Sequence, residues 1–308
     1  MKKRNRSLIG VLASVGILAS AGLSASAVAN STPPNFSLLA GGGITTGALN
    51  SLSGDIGAGG AVTTGAGTTV EGNLYANDAI TTGAGTSVTG SLFAGDAITT
   101  GAGTHVSGTF IAGSAIVLGA GTSGVHPPLR GADTIAMGNA DADDINLGSY
   151  IDQMTNSTNE LAELKALPAD EETADRELGA KTLSVDENGT FVYTSETFFT
   201  LSGTLTLSGN GTFIIRTPKY ISASAGGSVV LEDGAKAENV FFVTGSYFSA
   251  GAGAELQGNI MATSYATLGA GSTFGGNIFS KDGYITLGAN VDEVAGVSSE
   301  PLDVDATD

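Results

Sequence analysis

Short apolar–polar alternations separated by Gly recur along the chain, and their period is 18 residues. The pairs Gly47-Ala48, Gly65-Ala66, Gly83-Ala84, Gly101-Ala102 and Gly119-Ala120 follow one another at that step. Before them stand Ile44-Thr45-Thr46, Val62-Thr63-Thr64, Ile80-Thr81-Thr82, Ile98-Thr99-Thr100 and Ile116-Val117-Leu118. The pattern returns at Phe248-Ser249-Ala250-Gly251, Ala266-Thr267-Leu268-Gly269 and Ile285-Thr286-Leu287-Gly288. One unit holds three alternating segments, as in Ala79-Ile80-Thr81-Thr82, Ser87-Val88-Thr89 and Ser91-Leu92-Phe93-Ala94. That is too little chain for a hairpin and crossover, but it suits one turn of a three-sided coil. Gly at the corners permits the tight backbone such a turn needs.

Alternation separates inside from outside. Ile80, Thr82, Val88 and Leu92 point inward, with equivalents at Ile98, Val106, Phe110, Leu268, Phe274 and Ile278. The outward sets differ between sides. The first strand shows Ala61 and Thr63, Ala79 and Thr81, Ala97 and Thr99, with Thr45, Thr267 and Thr286 extending the column. The second shows Thr69 and Glu71, Ser87 and Thr89, His105 and Ser107, and later Glu255, Gln257 and Thr273. The third shows Tyr75, Phe93, Ile111, Met261 and Phe279, too apolar to face water, so it predicts a cover.

The cover is legible in the middle of the chain. From about 142 to 167 the Gly-rich pattern stops, and Ile145, Ile151, Met154, Leu161 and Leu164 recur at helical spacing until Pro168. An acidic connector, 170–177, follows, and strands resume near Thr182 and run to about Val291. The coil is thus interrupted by a helix, and the late turns must stack on the early ones. Asn35-Phe36-Ser37-Leu38-Leu39-Ala40 is expected to form a strand at that junction. The fold class is mainly β: one solenoid domain over 30–297 and an acidic flexible tail over 298–308.

Composition narrows the setting. Residues 1–29 read as a secretory signal peptide: Lys2, Lys3, Arg4 and Arg6, then an apolar run from Leu8 to Leu23, then the small-x-small sites Ala25-Ser26-Ala27 and Ala27-Val28-Ala29. The run is short for a retained membrane anchor and is followed at once by Asn30-Ser31-Thr32-Pro33-Pro34. The expected location is extracellular. The net charge is −18; without the signal, eight basic residues face 30 acidic ones, a net charge of −22. Such a surface disfavours nucleic acid and anionic membranes and favours a soluble monomer. There is no cysteine, so packing and backbone pairing carry the stability.

Candidate chemistry is sparse. His105 and His126 are the only histidines, and neither has a second ligand at metal spacing. Asn139, Asp141, Asp143 and Asp144 begin like a calcium loop, but Asp144 stands where Gly is needed and Tyr150 where the bidentate Glu belongs. No nucleophile elbow, phosphate loop or zinc signature occurs, so neither cofactor nor metal is expected.

Six segments, in order, carry a resemblance to a family. Asn35-Phe36-Ser37-Leu38-Leu39-Ala40-Gly41, Gly54-Asp55-Ile56-Gly57, Leu201-Ser202-Gly203-Thr204-Leu205-Thr206-Leu207, Thr212-Phe213-Ile214-Ile215-Arg216, Asn239-Val240-Phe241-Phe242-Val243 and 269–278 each resemble a segment of the secreted microbial ice-binding (antifreeze) proteins. No single piece is specific; together they span nearly the whole chain after the signal. The resemblance implies a right-handed, triangular, discontinuous β-solenoid with one long helix along one face. It also implies binding of an ice crystal surface by a flat face, without enzyme activity or metal. The regular units from Val62 to Ala120 are a departure from the family pattern.

Two faces compete for the ice-binding role. The first-strand face, with Thr45, Ala61, Thr63, Ala79, Thr81, Ala97, Thr99, Thr267 and Thr286, is almost all Ala and Thr and carries no charge. In the late coils Tyr247, Tyr265 and Tyr284 share it, which would confine the regular patch to the early coils. The rival face has Thr69, Ser87, Thr89 and Thr273 but is interrupted by Glu71 and Glu255. A family motif of small residue, Gly, any residue, Thr or Asn falls near Ala84-Gly85-Thr86-Ser87 and favours the rival. Two other classes fit a solenoid: an extracellular adhesin or matrix rod, and a polysaccharide-degrading enzyme. The enzyme would need Asp or Arg clustered on one outer face.

Overall fold

In the computed structural model, which describes residues 36–124, 134–135 and 147–294, three predominantly parallel sheets of 11, 11 and 10 strands wrap one core. Signal, tail, His126, the 139–144 acidic cluster and Ile145 lie outside the described residues. Each coil contributes one short strand to each sheet, so consecutive strands in a sheet are one coil apart. In the early coils the register is 18 residues throughout: Leu92 pairs with Leu74 and Phe110, Ile98 with Ile80 and Ile116, Val88 with Val70 and Val106. These inward columns are buried, as alternation requires.

The chain starts in the middle of the stack. Phe36–Ala40 pairs on one side with Asp55–Ala58 and on the other with Ile278–Ser280. From there the early coils climb to one end, where the backbone of Thr134–Ile135 pairs antiparallel with Ile116–Val117 and covers that edge. The helix α1 (Gly148–Ala166) returns the chain to the opposite end, and the late coils climb back until Ile285–Leu287 pairs with Ile44–Thr46. Late coils are irregular: Phe199 pairs with Ile221, Ile221 with Phe248, and Ala266 with Ile285. The 170–177 connector contains a strand, Glu171–Thr173, that adds the last rung to the helix-covered sheet.

The helix is 19 residues long, about 28 Å or some six rungs at about 4.8 Å. Tyr150, Ser157, Leu161 and Leu164 are its buried residues; Tyr150, Leu161 and Leu164 pack with Met154 in one apolar cluster with Phe36, Leu39, Tyr75, Ile214, Phe241, Val243, Met261 and Phe279. The third-strand cover is therefore as the pattern requires, with one correction. Ile151 is 58 % exposed. The stripe runs 150, 154, 157, 161, 164, alternating four and three, which puts Ile151 off the seam. Arg216 on the sheet donates to the carbonyls of Leu164 (3.0 Å) and Lys165 (3.1 Å), satisfying two acceptors that a helix end leaves unpaired. The outermost early coils extend past the helix, where Phe93 and Ile111 are only half-buried.

The interior is not uniformly apolar. The second Thr of each early pair, Thr46, Thr64, Thr82 and Thr100, is buried at one corner together with Thr68, Thr86 and Thr104. Thr82 Oγ1 lies 3.2 Å from Thr104 Oγ1, and Thr104 Oγ1 donates to the Gly101 carbonyl at 2.8 Å. In the late coils the column that continues Thr46 becomes Leu287, Leu268 and Ala250. Early coils thus close this corner with paired hydroxyls; late coils put hydrocarbon in the Thr46 column and keep one buried hydroxyl, Ser272, which donates to the Gly269 (2.8 Å) and Gly251 (3.1 Å) carbonyls.

Two junction features yield tests. Leu49 has φ +60° where the next three rungs place Gly67, Gly85 and Gly103, and its side chain is 59 % exposed. Leu49→Asn should stabilise the fold by about 1 kcal/mol in a urea titration, because Asn tolerates the left-handed region and little burial is lost. An unchanged midpoint would refute that account. Glu293 accepts bonds from Ser37 Oγ (2.5 Å) and the Ser53 amide (2.7 Å), tying the last strand to the first coils. Burial raises its pKa against the pull of those two bonds. A raised carboxyl contributes stability below the ordinary carboxylate range and loses it as pH climbs through the raised pKa. Glu293→Gln keeps the acceptor and removes the proton linkage. Its stability relative to wild type should rise from about pH 4 to about pH 7; a pH-independent difference would contradict the burial argument.

Candidate functional site

Of the three outer faces, one is covered by the helix and two face solvent. On the first-strand face the pairing joins early and late coils into one column. In spatial order it reads Val117, Thr99, Thr81, Thr63, Thr45, Thr286, Thr267, Ser249, Ser222, Thr200. Ten rungs at about 4.8 Å make a row of about 43 Å. Thr267 and Thr286 stand in line with the early threonines across the chain break. Thr200, Ser222 and Ser249 belong to the same row; the longer late coils hide two of them from an 18-residue search.

The neighbouring columns make the row flat in one half only. On the +2 side of the early coils stand Gly47, Gly65, Gly83 and Gly101. A Cβ at Gly83 would lie 2.4 Å from the backbone nitrogen of Ala66 in the adjacent coil, so this column cannot carry a side chain at the observed stacking distance. On the −2 side the early coils place Gly43, Ala61, Ala79 and Ala97. The late coils place Tyr284, Tyr265, Tyr247, Tyr220 and Phe198 there, ring upon ring, with centroids 4.8–5.1 Å apart and planes within 9°. The Arg176 guanidinium sits 4.7 Å over Phe198 and completes the ladder as a sixth rung.

Exposure follows these neighbours. Thr45, Thr63, Thr81 and Thr99, beside Gly or Ala, are exposed. Thr286, Thr267, Ser249, Ser222 and Thr200, beside Tyr or Phe, are half-buried. Burial, and then Tyr265 and Tyr220, raise the pKa of Tyr247. Over the ten rungs from Val117 to Thr200 no outward position of these three columns is charged; Arg176 and Glu177, which bridges to Thr200, stand beyond the last rung, and Asp78 and Asp96 stand at the corner beyond the Ala column.

The rival face is interrupted more than its sequence implied. Asp292 falls in register between Ser51 and Thr273, and Glu255 pairs with Thr273 on the other side. Thr69 and Ser87 pair in one outward column, and exposed Thr89 shares the neighbouring column with exposed Glu71. Ser87, at the Thr/Asn position of the motif, is half-buried in the outward column, whereas Thr86, the unconstrained position before it, is fully buried and its hydroxyl donates to the Gly83 carbonyl at 2.9 Å. It closes a corner rather than facing water. Among the described residues no group of His, Cys, Asp and Glu could hold a metal ion, and no helix is long and apolar enough to cross a membrane.

With this geometry in place, comparison with known proteins settles the lineage. The model of the family described as ice-binding-like matches residues 122–292, more than half of the chain. The chain belongs to the ice-binding-like family. Solved structures agree on the fold. An ice-binding protein of the Antarctic ascomycete Antarctomyces psychrotrophicus is 19% identical, with a TM-score of 0.56 over 85% of this chain and 94% of that one. An ice-binding protein domain of Shewanella frigidimarina is 22% identical, with a TM-score of 0.54 over 86% and 95%. A glycosylated ice-binding protein from an Arctic yeast is 19% identical, with a TM-score of 0.53 over 89% and 95%. No curated protein matches the chain in sequence. The family match starts at Thr122, just past the regular early coils that carry the exposed threonines.

Proposed function

We propose that the protein is secreted and binds ice through the early-coil half of the first-strand face, with Thr45, Thr63, Thr81 and Thr99 as the contact row and Ala61, Ala79 and Ala97 beside it. The observation that supports this most is the single in-register threonine column, exposed only where its neighbours are Gly or Ala. Ice offers neither charge nor pocket; it offers a repeating lattice of water. A binder must therefore hold many weak groups at a fixed spacing so that their contributions add. Stacked coils supply the spacing. A threonine hydroxyl joins the water network while its methyl orders the adjacent water. Its branched Cβ restricts rotation, so little side-chain entropy is lost on contact.

Charge decides between the two solvent faces. A carboxylate holds its own hydration shell, and Glu71, Glu255 and Asp292 would each disturb an ordered layer on the rival face. On the chosen face Thr267 and Thr286 are in register but flanked by the tyrosines, which makes them subordinate contacts. The protein acts as an adsorbed obstacle without chemistry: ice between anchored molecules must grow with curvature, which lowers the freezing point and inhibits recrystallisation.

The test is direct. Thr81→Tyr with Thr99→Tyr should abolish thermal hysteresis and recrystallisation inhibition with unchanged circular dichroism. Ser87→Tyr on the rival face should leave both intact. Activity that survives the double change and disappears in Ser87→Tyr would move the site to the other face.

A further inference from the structure

The tyrosine ladder lies on the half of the face that holds only the subordinate contacts of the ice reading, and its border is unlike the rest of the molecule. The chain carries a net charge of −18. Yet four of its seven described basic residues, Lys165, Arg176, Lys219 and Lys281, stand along this ladder. Lys219 is exposed at the corner immediately before Tyr220. Lys281 occupies the equivalent corner before Tyr284. Lys165 reaches from the helix to Thr263, two residues before Tyr265, with Nζ donating to Oγ1 at 2.6 Å. Burial and then the nearby Lys281 lower the Lys165 pKa, which places the two ammoniums within each other's field.

We propose that the ladder from Tyr220 to Tyr284, with Lys219, Lys165 and Lys281 on its border, is a second binding surface that takes an acidic polysaccharide chain. Charge complementarity carries the argument. Along this stretch three ammoniums face one carboxylate, Asp282, whose Oδ1 is 3.9 Å from Lys281 Nζ. At the far end Arg176 shares a hollow with Glu172 and Glu196, which offset it, so the central stretch is the positive one. Screening over about 8 Å at physiological salt lets this local positive field act despite the acidic faces elsewhere.

Ring geometry selects the partner. Tyr220, Tyr247 and Tyr265 are stacked on both faces, and only the outer face of Tyr284, 49 % exposed at the end of the row, is open, so successive bases, which single-stranded nucleic acid would stack, find no run of platforms. Sugar stacking is confined to that one terminal face for the same reason. What remains outward is an edge of phenol hydroxyls at coil spacing beside a line of cations. That combination fits a polymer that repeats hydroxyls and carboxylates, each contact weak and the sum set by number.

This surface stands apart from the ice reading, and the two can fail separately. The full-length secreted protein would be passed at about 0.15 M salt over immobilised polygalacturonate, neutral dextran and single-stranded oligothymidylate. Binding to polygalacturonate alone is expected. Lys219→Glu with Lys281→Glu should weaken it about tenfold or more while thermal hysteresis is retained. Lys219→Gln, at an exposed corner, gives a smaller loss in the same direction. Thr81→Tyr with Thr99→Tyr should do the reverse, sparing polymer binding and removing hysteresis. No retention on polygalacturonate, equal retention on dextran or oligothymidylate, or indifference to the charge reversal would overturn the proposal.

Discussion

Parallel stacking of coils at one strand spacing is the constraint from which the other features follow. Backbone amides and carbonyls of each rung pair with those of the next, so the interval between rungs is fixed by hydrogen bonding. Side-chain columns inherit that interval. The threonine row, the tyrosine ladder and the interior hydroxyl corner all repeat at the same step because the backbone beneath them does. The glycine column beside the threonines is the counterpart of this rule. Its Cα atoms face neighbouring backbone so closely that any side chain would force the coils apart. The flatness of the early face is therefore a consequence of stacking, not a separate adaptation of its surface.

The discontinuity is what makes the face long. A chain that wound from one end to the other would leave its termini at the ends of the stack. Here the first strand, Phe36–Ala40, lies between Asp55–Ala58 and Ile278–Ser280, and the helix carries the chain from one end to the other. Register must survive that jump, since a one-residue slip would turn Thr286 inward and Leu287 outward. Glu293, Ser37 and Ser53 help hold the late coils on the early ones, and the helix braces the same junction from outside. The brace covers only part of the stack. The coils holding Thr81 and Thr99 depend mainly on their neighbours and on the buried threonine corner.

Much of this was legible in the sequence because the early coils are identical in length. A strict 18-residue period fixes which residue lies above which, so the inward set and the first-face threonines could be assigned by alternation alone. The need for a cover was legible for the same reason, and the junction strand followed from the interruption of the coil by the helix. Late coils lengthen at their corners: Ile221 pairs with Phe248, 27 residues on, while Tyr247 pairs with Tyr265, 18 on. A period search cannot follow such steps, which is why Tyr220, Phe198 and Arg176 were invisible as rungs of one ladder. Corner residues were also ambiguous. Thr86 has the composition of a surface strand but folds into the turn, because its hydroxyl closes the Gly83 carbonyl there. Ile151 failed differently: a helix of mixed polarity offers two nearby seams, and Tyr150 takes the inner one because it can pack against the Phe36 cluster and still donate to the Ala40 carbonyl at 3.1 Å.

The same column position, occupied by Ala in one half and Tyr in the other, divides one continuous sheet into two surfaces with different physics. Where the neighbour is Ala, each threonine meets solvent as a short, stiff group on a flat floor, and an extended rigid partner can touch all of them at once. Where the neighbour is Tyr, the rings consume one another's faces and raise a ridge of phenol edges, and the serines and threonines behind it lose exposure. Rigid lattices need coplanar contacts; flexible polymers do not, and they can follow a ridge. Cations are absent from the floor, where a hydration shell would disrupt ordered water. They gather beside the ridge, where an anionic chain could use them. Backbone stacking alone would treat the two halves alike, so the difference between them lies in one side-chain choice, Gly or Ala on the early rungs and Tyr or Phe on the late ones.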